Sequence, residues 1–306
     1  MPISTASLPL TIDNPTQLPE SFGVEQLEKM PLPRAVLMCP PDYFDIVDVK
    51  NPFMVGQQGK ADLRLARKQW EAVKRAFEEA GIEVKTIPPV EGCEDMVFCA
   101  NPIFAGLDQN DRRVCVLSHM RYPSRRREVP AHAEWFAQNG YRVVSIGEPS
   151  WLFEGSGDAL WHPGRRLIWG GYGPRTNREI YPKLAETFGA PVVMLELKTD
   201  LFYHLDTCLA LVDENTAVVH PPALTADGMA LVRRLFRRVI EADAHEAAAI
   251  TACNGAAFLG KRYVVQQGAR KVTGVLRELG IEVTEVDTSE FIKSGGSVFC
   301  MKMYLF

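Results

Sequence analysis

The same order of elements is spelled five times along this chain: a short apolar run, a turn, a stretch with apolar residues at helical spacing, a glycine, and a second apolar run. The first copy predicts a strand over 34–40 (R-A-V-L-M-C-P), a helix over 62–80, a stop at Gly81 and a strand over 82–87. The second predicts a strand over 114–117, a helix over 126–138 ending through Asn139-Gly140, and a strand over 141–146. The third runs through 166–169, 177–188, Gly189 and 192–197. The fourth has 216–220, a helix over 229–241 and a weaker strand over 247–252, without the glycine, and the fifth has 262–266, 271–279, Gly280 and 281–286. Units of this size cannot cover their own apolar faces, so they must stack on one another.

The fold class implied is α/β, a five-fold pseudosymmetric propeller of strand-helix-strand repeats around a central pocket. An open, doubly wound sheet is the alternative that alternating strands and helices suggest. Against it stands the first turn, where M-C-P-P-D replaces a glycine-rich phosphate loop. A ring also predicts that polar residues recur in phase after each marker glycine. Asp95 follows Gly81 by fourteen, Glu154 follows Gly140 by fourteen, His204 follows Gly189 by fifteen, and Cys300 follows Gly280 by twenty. The fourth copy offers Asn254. One such acid alone is more often a loop charge or helix cap; the recurrence in phase is what points to a shared axis.

Cys300 ends S-G-G-S-V-F-C, where the Gly-Gly turn is expected to deliver the thiol onto a short apolar strand. Most cysteines are small buried core residues. A histidine set in apolar surroundings and followed two places later by an acid, as in F-Y-H-L-D-T-C at 202–208, shifts that expectation, because a thiol with a histidine is the minimum for covalent catalysis.

Composition narrows the classes. The 306 residues carry a formal net charge of -4, and the only basic run is Arg125-Arg126-Arg127, which gives no footprint for nucleic acid. No apolar run is long enough to span a bilayer, and the opening residues lack the layout of a signal peptide, so a cytoplasmic location is expected. Residues 1–30 read as an N-terminal arm, poorly ordered or packed on the surface, and 31–306 as a single catalytic domain. The seven cysteines form no C-x-x-C pair, and the six histidines form no helical i, i+4 pair, so neither disulfides nor a metal site is expected.

Several short motifs, in this order, resemble the guanidino-modifying (pentein, or amidinotransferase) superfamily, which includes arginine deiminases, dimethylarginine dimethylaminohydrolases, arginine dihydrolases and amidinotransferases. They are H-L-D-T at 204–207, E-G-S-G-D at 154–158, G-Y-G-P-R-T-N at 171–177, S-R-R-R-E at 124–128 and the terminal S-G-G-S-V-F-C. The likeness covers the chain from about Arg34 onward. Asn101 stands where deiminases and dimethylarginine hydrolases of the family carry an acid, and this, with M-C-P-P-D-Y-F-D and N-P-F-M, looks closer to the arginine dihydrolase branch.

The resemblance implies a hydrolase acting on the guanidino group of arginine or a derivative, through a Cys-bound S-alkylthiouronium. Cys300 is then the nucleophile and His204 the acid and base. Glu154 is expected to orient the histidine, with the inserted residue in E-G-S-G-D leaving Asp158 as the alternative. Asp206 is expected to grip guanidinium nitrogens and Asn101 to add neutral contacts, with Asp95, Asp158 and Asn51 as further substrate contacts. Arg175 and Arg127, the latter standing for one of the triple Arg, are expected to hold a substrate carboxylate. The small-molecule substrate is the expected partner, no cofactor is needed, and a homodimer through the exposed edges of such a ring is a further expectation. An amidinotransferase passing the amidino group to an amine, and a non-catalytic binding protein on the same fold, are the competing functions.

Overall fold

The computed structural model describes residues 8–306. Its strands form five separate sheets, and each sheet repeats one plan: an inner strand pairs antiparallel with a middle strand, which pairs parallel with an outer one. A helix carries each parallel crossover, as parallel strands require.

After an edge strand β1 (Thr11–Ile12), the first unit has β2 (Ala35–Met38), the helix Leu63–Glu79 and β3 (Glu83–Thr86). Asp62 caps that helix by accepting from the backbone N–H groups of Arg64 and Leu65 at 2.9 and 3.1 Å, a contribution of roughly 1 kcal/mol. Its buried face is Ala66, Trp70, Val73, Ala76 and Phe77, at the spacing of one helical stripe. The second unit is β4 (Ile103–Leu107), β5 (Arg113–Leu117), the helix Val129–Gln138 and β6 (Arg142–Val144); the third is β7 (Ala159–Trp161), β8 (Ile168–Tyr172), the helix Ile180–Phe188 and β9 (Val192–Glu196). The fourth is β10 (Leu209–Asp213), β11 (Thr216–Val219), the helix Ala226–Leu235 and β12 (Arg238–Glu241); the fifth is β13 (Ala256–Phe258), β14 (Arg262–Gln266), the helix Arg270–Glu278 and β15 (Glu282–Val286).

The first unit lacks an inner strand of its own. The last element of the chain, β16 (Met303–Leu305), supplies it by pairing antiparallel with β2, Met303 opposite Leu37. The two ends of the repeat array are thereby joined in one sheet. The marker glycines Gly81, Gly140, Gly189 and Gly280 all have left-handed backbones, with φ of 80, 82, 59 and 80°, which is why glycine stands where each helix ends.

Three expectations are corrected. The inner antiparallel strands β4, β7, β10 and β13 open the second to fifth units, in short runs between polar segments where the sequence pattern predicts no strand. In the fourth unit the helix ends at Leu235 and the outer strand is β12, so the helix expected over 229–241 and the strand expected over 247–252 are both displaced; Ala244–Ala248 is a short helix capped by Asp243. Phe236 takes an extended conformation immediately after the helix, and no glycine is needed to reverse the chain. Third, Cys300 lies in the turn before β16 and not on the strand.

Of the expected arm, residues 1–7 lie outside the described residues. From Leu8 onward the segment packs inward: Ile12, Leu18, Phe22, Val24 and Leu27 join the cluster around Trp169 and Leu195, and β1 pairs in parallel with β9. A largely apolar cavity takes wall residues from the inner strand of every sheet: Phe104, Leu160, Leu211, Ala257 and Met303. Among the described residues no helix is long and apolar enough to cross a membrane.

Candidate active site

The turn after the short helix Ser289–Ile292 is held in place by three side chains from elsewhere in the chain. Asn51 donates to the Ser294 carbonyl at 2.9 Å, Tyr203 Oη donates to the Gly295 carbonyl at 2.9 Å, and Asn254 Oδ1 accepts from the backbone N–H of Ser297 at 3.0 Å and of Cys300 at 3.3 Å. Gly296 admits no side chain, because a Cβ there would lie 2.4 Å from the Phe98 ring. The turn is thereby fixed, and it directs the thiol into a recess lined also by Lys50, Asn51, Asp95, Asn101, Arg125 and Arg175.

Cys300 is 2% exposed. Its thiol donates to Asp206 Oδ2 at 3.1 Å and accepts from Asn254 Nδ2 at 3.2 Å; the same amide also donates to the Asp206 carbonyl at 2.8 Å. Burial, then the neighbouring Asp206, pushes the thiol well above its ordinary range. Burial likewise pushes Asp206 up to about 7, against the pull of the Cys300 hydrogen bond and the Lys302 charge. Before a cation enters, the proton on sulfur is shared toward an acid that is itself reluctant to ionise. A guanidinium reverses both effects, because a nearby positive charge favours carboxylate and thiolate together.

His204 sits at the start of the turn Leu205–Thr207, buried, with Nε2 2.7 Å from Glu154 Oε2 and 4.0 Å from Asp158 Oδ2. Of the two acids that the sequence left open, Glu154 is thus the one in hydrogen-bonding contact with the imidazole. Burial alone would raise the Glu154 carboxyl, but the Arg175 guanidinium 2.7 Å away, His204 and the Arg121 backbone N–H hold it far below the usual carboxylate range. Asp158 is instead spent on backbone: Oδ1 accepts from the Leu205 N–H at 3.0 Å and Oδ2 from the Thr176 hydroxyl at 2.7 Å. Expected as a substrate contact, it fixes the segment that carries His204. Burial pushes it up to about 6.

Asn101 is read by its neighbours. Arg125 Nη1 donates to its Oδ1 at 3.1 Å, which turns the amide nitrogen toward His204 Nδ1 at 3.5 Å. With Glu154 accepting at Nε2, this assigns the imidazole proton to Nε2 and leaves the Nδ1 lone pair toward Asn101. Arg125 is locked in turn by Glu128, at 2.8 and 3.0 Å.

Among the three arginines it is Arg125 that is buried at the recess. Arg127 points away, its side chain largely exposed and donating to the Gly92 carbonyl at 3.2 Å. The helical turn Pro123–Arg126 explains this, since neighbouring positions on a turn face different ways. Arg175, expected to be free for a substrate carboxylate, lines the recess with its fork already used: Nη1 on Glu154 and Nη2 on the Lys50 carbonyl at 2.7 Å, and its plane between the rings of Tyr122 and Tyr203 at 4.7 Å each. Asp95 lies beside Lys50 Nζ at 3.0 Å, and its Oδ1 is buried without a partner among the described residues. Asn51 also caps its own turn, accepting from Phe53 N–H at 3.0 Å.

Lys50, Tyr203 and Lys302 were not read from sequence as site residues. Tyr203 adjoins His204 and was passed over as an apolar neighbour. Lys302, two places after Cys300, is a lone charge in an apolar run, a pattern that by itself marks no site.

Comparison with known proteins gives a consistent picture. Residues 41–306 match the family model described as N,N dimethylarginine dimethylhydrolase, eukaryotic. The N(G),N(G)-dimethylarginine dimethylaminohydrolase of Mycobacterium tuberculosis is 34% identical over 272 residues, 89% of this chain and 86% of that protein. The bifunctional arginine dihydrolase/ornithine cyclodeaminase ArgZ of Synechocystis sp. is 34% identical over 272 residues, covering 88% of this chain but 37% of that longer protein. Among solved structures, a cysteine-to-serine variant of the N-terminal domain of the cyanobacterial ArgZ, bound to substrate, superposes with a TM-score of 0.82 at 31% identity, covering 88% of this chain and 97% of that one.

Proposed function

Because the chain belongs to the N,N-dimethylarginine dimethylhydrolase family and is a hydrolase of guanidino groups, we propose that its recess cleaves arginine or an arginine derivative with Cys300 as nucleophile, His204 as acid and base, and Glu154 as the group that orients His204. The thiol held against Asp206 at 3.1 Å is the observation that carries this reading.

A guanidinium carbon is a poor electrophile, since its charge is spread over three nitrogens. In this reading Asp206, Asp95 and Asn101 hold those nitrogens by charge-assisted and neutral hydrogen bonds. Cys300 gives its proton to His204 and attacks the carbon as thiolate, the C–N bond to the departing nitrogen breaks, and His204 passes that proton to the nitrogen, leaving an S-alkylthiouronium on Cys300. His204 then takes a proton from water, the oxygen attacks the same carbon, and the C–S bond breaks to restore the thiol.

The five sheets stand, we infer, around one axis with the recess at one end. The shared cavity wall supports this, as each inner strand contributes to it. Asn101, with M-C-P-P-D-Y-F-D and N-P-F-M, resembles the arginine dihydrolase branch and so favours arginine itself as substrate, the compound named for the ArgZ relative.

The test is incubation of the protein with arginine and, separately, with dimethylarginine. Ammonia or dimethylamine, citrulline and ornithine are quantified, and the mass of Cys300 is followed after brief mixing. A transient adduct on Cys300 with release of a ureido product or ornithine supports the reading. Transfer to added glycine or lysine in place of water would favour an amidinotransferase. No turnover with any guanidine would leave a binding protein.

A further inference from the structure

Lys50 is a buried ammonium that the reaction above leaves without a role. Its side chain is 3% exposed, and three carboxylates surround its Nζ: Asp48, Glu94 Oε1 at 3.1 Å and Asp95 Oδ2 at 3.0 Å. A buried cation of this kind persists only where acids compensate it. Burial pulls the amine down, but Asp95, Asp48 and Glu94 outweigh it and hold it above its ordinary value, so it stays charged. The backbone is held as well. The Lys50 carbonyl accepts from Arg175 Nη2 at 2.7 Å, and the next side chain, Asn51, grips the Ser294 carbonyl in the thiol's turn. Lys50 lines both the recess of Cys300 and the outer hollow formed with Arg121, Pro174 and Asp200, so it stands where the two meet.

The consequence falls on Asp95, whose buried side chain also lines the recess. With Oδ2 against the ammonium, Oδ1 is a buried acceptor that has no partner among the described residues. Such an oxygen is costly to leave unpaired, and a guanidinium N–H would satisfy it.

Resting on the hydrolase reading, we propose that Lys50 is a positioning residue for substrate charge: by fixing Oδ2 of Asp95 it presents Oδ1 to one guanidinium nitrogen, so that the recess prefers a cationic guanidino group to a neutral ureido group.

The charges around this pin are few. Glu94 also faces Arg127, Oε2 to Nη2 at 3.7 Å, so the arginine that does not reach the recess offsets part of the acid surplus beside it. Arg125, locked on Glu128, is close enough to feel Asp95. Without the ammonium, the like charges of Asp48, Glu94 and Asp95 repel across the space that Nζ filled, and Asp95 loses the contact that fixes its angle. Asp95 touches the substrate in this reading; Lys50 acts only through it.

The test uses Cys300→Ser protein, which holds a ligand without consuming it. Calorimetry measures its affinity for arginine and for citrulline, whose ureido group has nearly the same shape and no charge. Lys50→Met keeps the length of the side chain and removes the charge; it is expected to weaken arginine about tenfold or more while citrulline changes by less than about threefold. In an Asp95→Asn background the same lysine change should move arginine affinity by less than about threefold, because the carboxylate through which it acts is gone. With Cys300 intact, Lys50→Met should raise KM for arginine about tenfold and leave kcat nearly unchanged. Equal weakening of both ligands overturns the proposal and leaves Lys50 a structural pin of its loop. Unchanged or tighter arginine binding overturns it as well, and so does full additivity with Asp95→Asn. Should Lys50→Met not fold, Lys50→Gln, which still donates to the acids without the charge, carries the same comparison. Arginine that binds but is not turned over by wild type ends the hydrolase reading alone, whereas turnover with unaltered selectivity in the lysine variants ends this proposal alone. A recess that binds neither ligand ends both.

Discussion

The Cys300 thiol donates its hydrogen to Asp206 Oδ2 across 3.1 Å, with both side chains buried in the recess. Both groups ionise reluctantly until a cation arrives. Cys300→Ser is expected to abolish turnover, by about four orders of magnitude or more, because an alcohol in the same place is a far weaker nucleophile at neutral pH. The fold should survive, as the two side chains differ by one atom. Ammonia release and the absence of a covalent adduct check this.

Asp206 also makes stability depend on pH. Folded, its carboxyl holds a proton up to about 7; unfolded, only to 3.8. Between those values the folded form binds more protons, so the contribution is complete below 3.8 and is lost as pH rises through about 7. The loss amounts to at most about 4 kcal/mol. Melting curves of wild type should fall across this window, and those of Asp206→Asn should fall less. Equal slopes would contradict the assignment.

Glu154 carries three partners at once: His204, Arg175 and the Arg121 backbone. Glu154→Gln keeps the shape and removes the charge, so kcat should drop by about two to three orders of magnitude. It also leaves the buried Arg175 without its counter-charge, and the melting temperature should fall. Asp158→Asn provides the contrast. It should weaken the Leu205 N–H clamp with a smaller loss of kcat, because its oxygen is 4.0 Å from the imidazole.

Asn254 ties the thiol, the Asp206 backbone and the Cys300 turn together with one amide. Asn254→Ala leaves the Ser297 and Cys300 N–H groups buried without acceptors, at a cost of about 1–3 kcal/mol for each such group. Since the turn then loses its fixed shape, kcat/KM should fall about a hundredfold or more even where the protein stays folded. Steady-state kinetics with circular dichroism separates the two effects.

Gly157 lies against the imidazole. A Cβ there would meet Asn101 Nδ2 at 2.5 Å and His204 Nδ1 at 3.0 Å. Gly157→Ala should therefore push His204 away from Glu154 and lower kcat with only a modest change in melting temperature. An unchanged kcat would mean that the histidine has room that the structure does not give it.

Much of the scaffold could be read from local pattern. Helical periodicity and terminal glycines mark the crossovers of Leu63–Glu79, Ile180–Phe188 and Arg270–Glu278 to within a few residues, because each signal is written in adjacent positions. The inner strands escaped, being three to five residues long and bounded by polar turns, so that neither alternation nor length separates them from loop. In the fourth unit the usual stop signal is missing, and the helix boundary moved accordingly.

Sequence alone determined which residue types recur and at what interval: a thiol, an imidazole and several acids, in phase with the repeat, together with the motifs that place the chain in its family. Only tertiary structure decided which acid meets the imidazole, which of three adjacent arginines turns inward, that Asn254 grips the thiol, and that Lys302 is buried between two aromatic rings. The reason is physical: spacing along a chain sets which element a side chain stands on, whereas a choice between neighbours differing by one or two ångströms depends on packing from segments a hundred or more residues away.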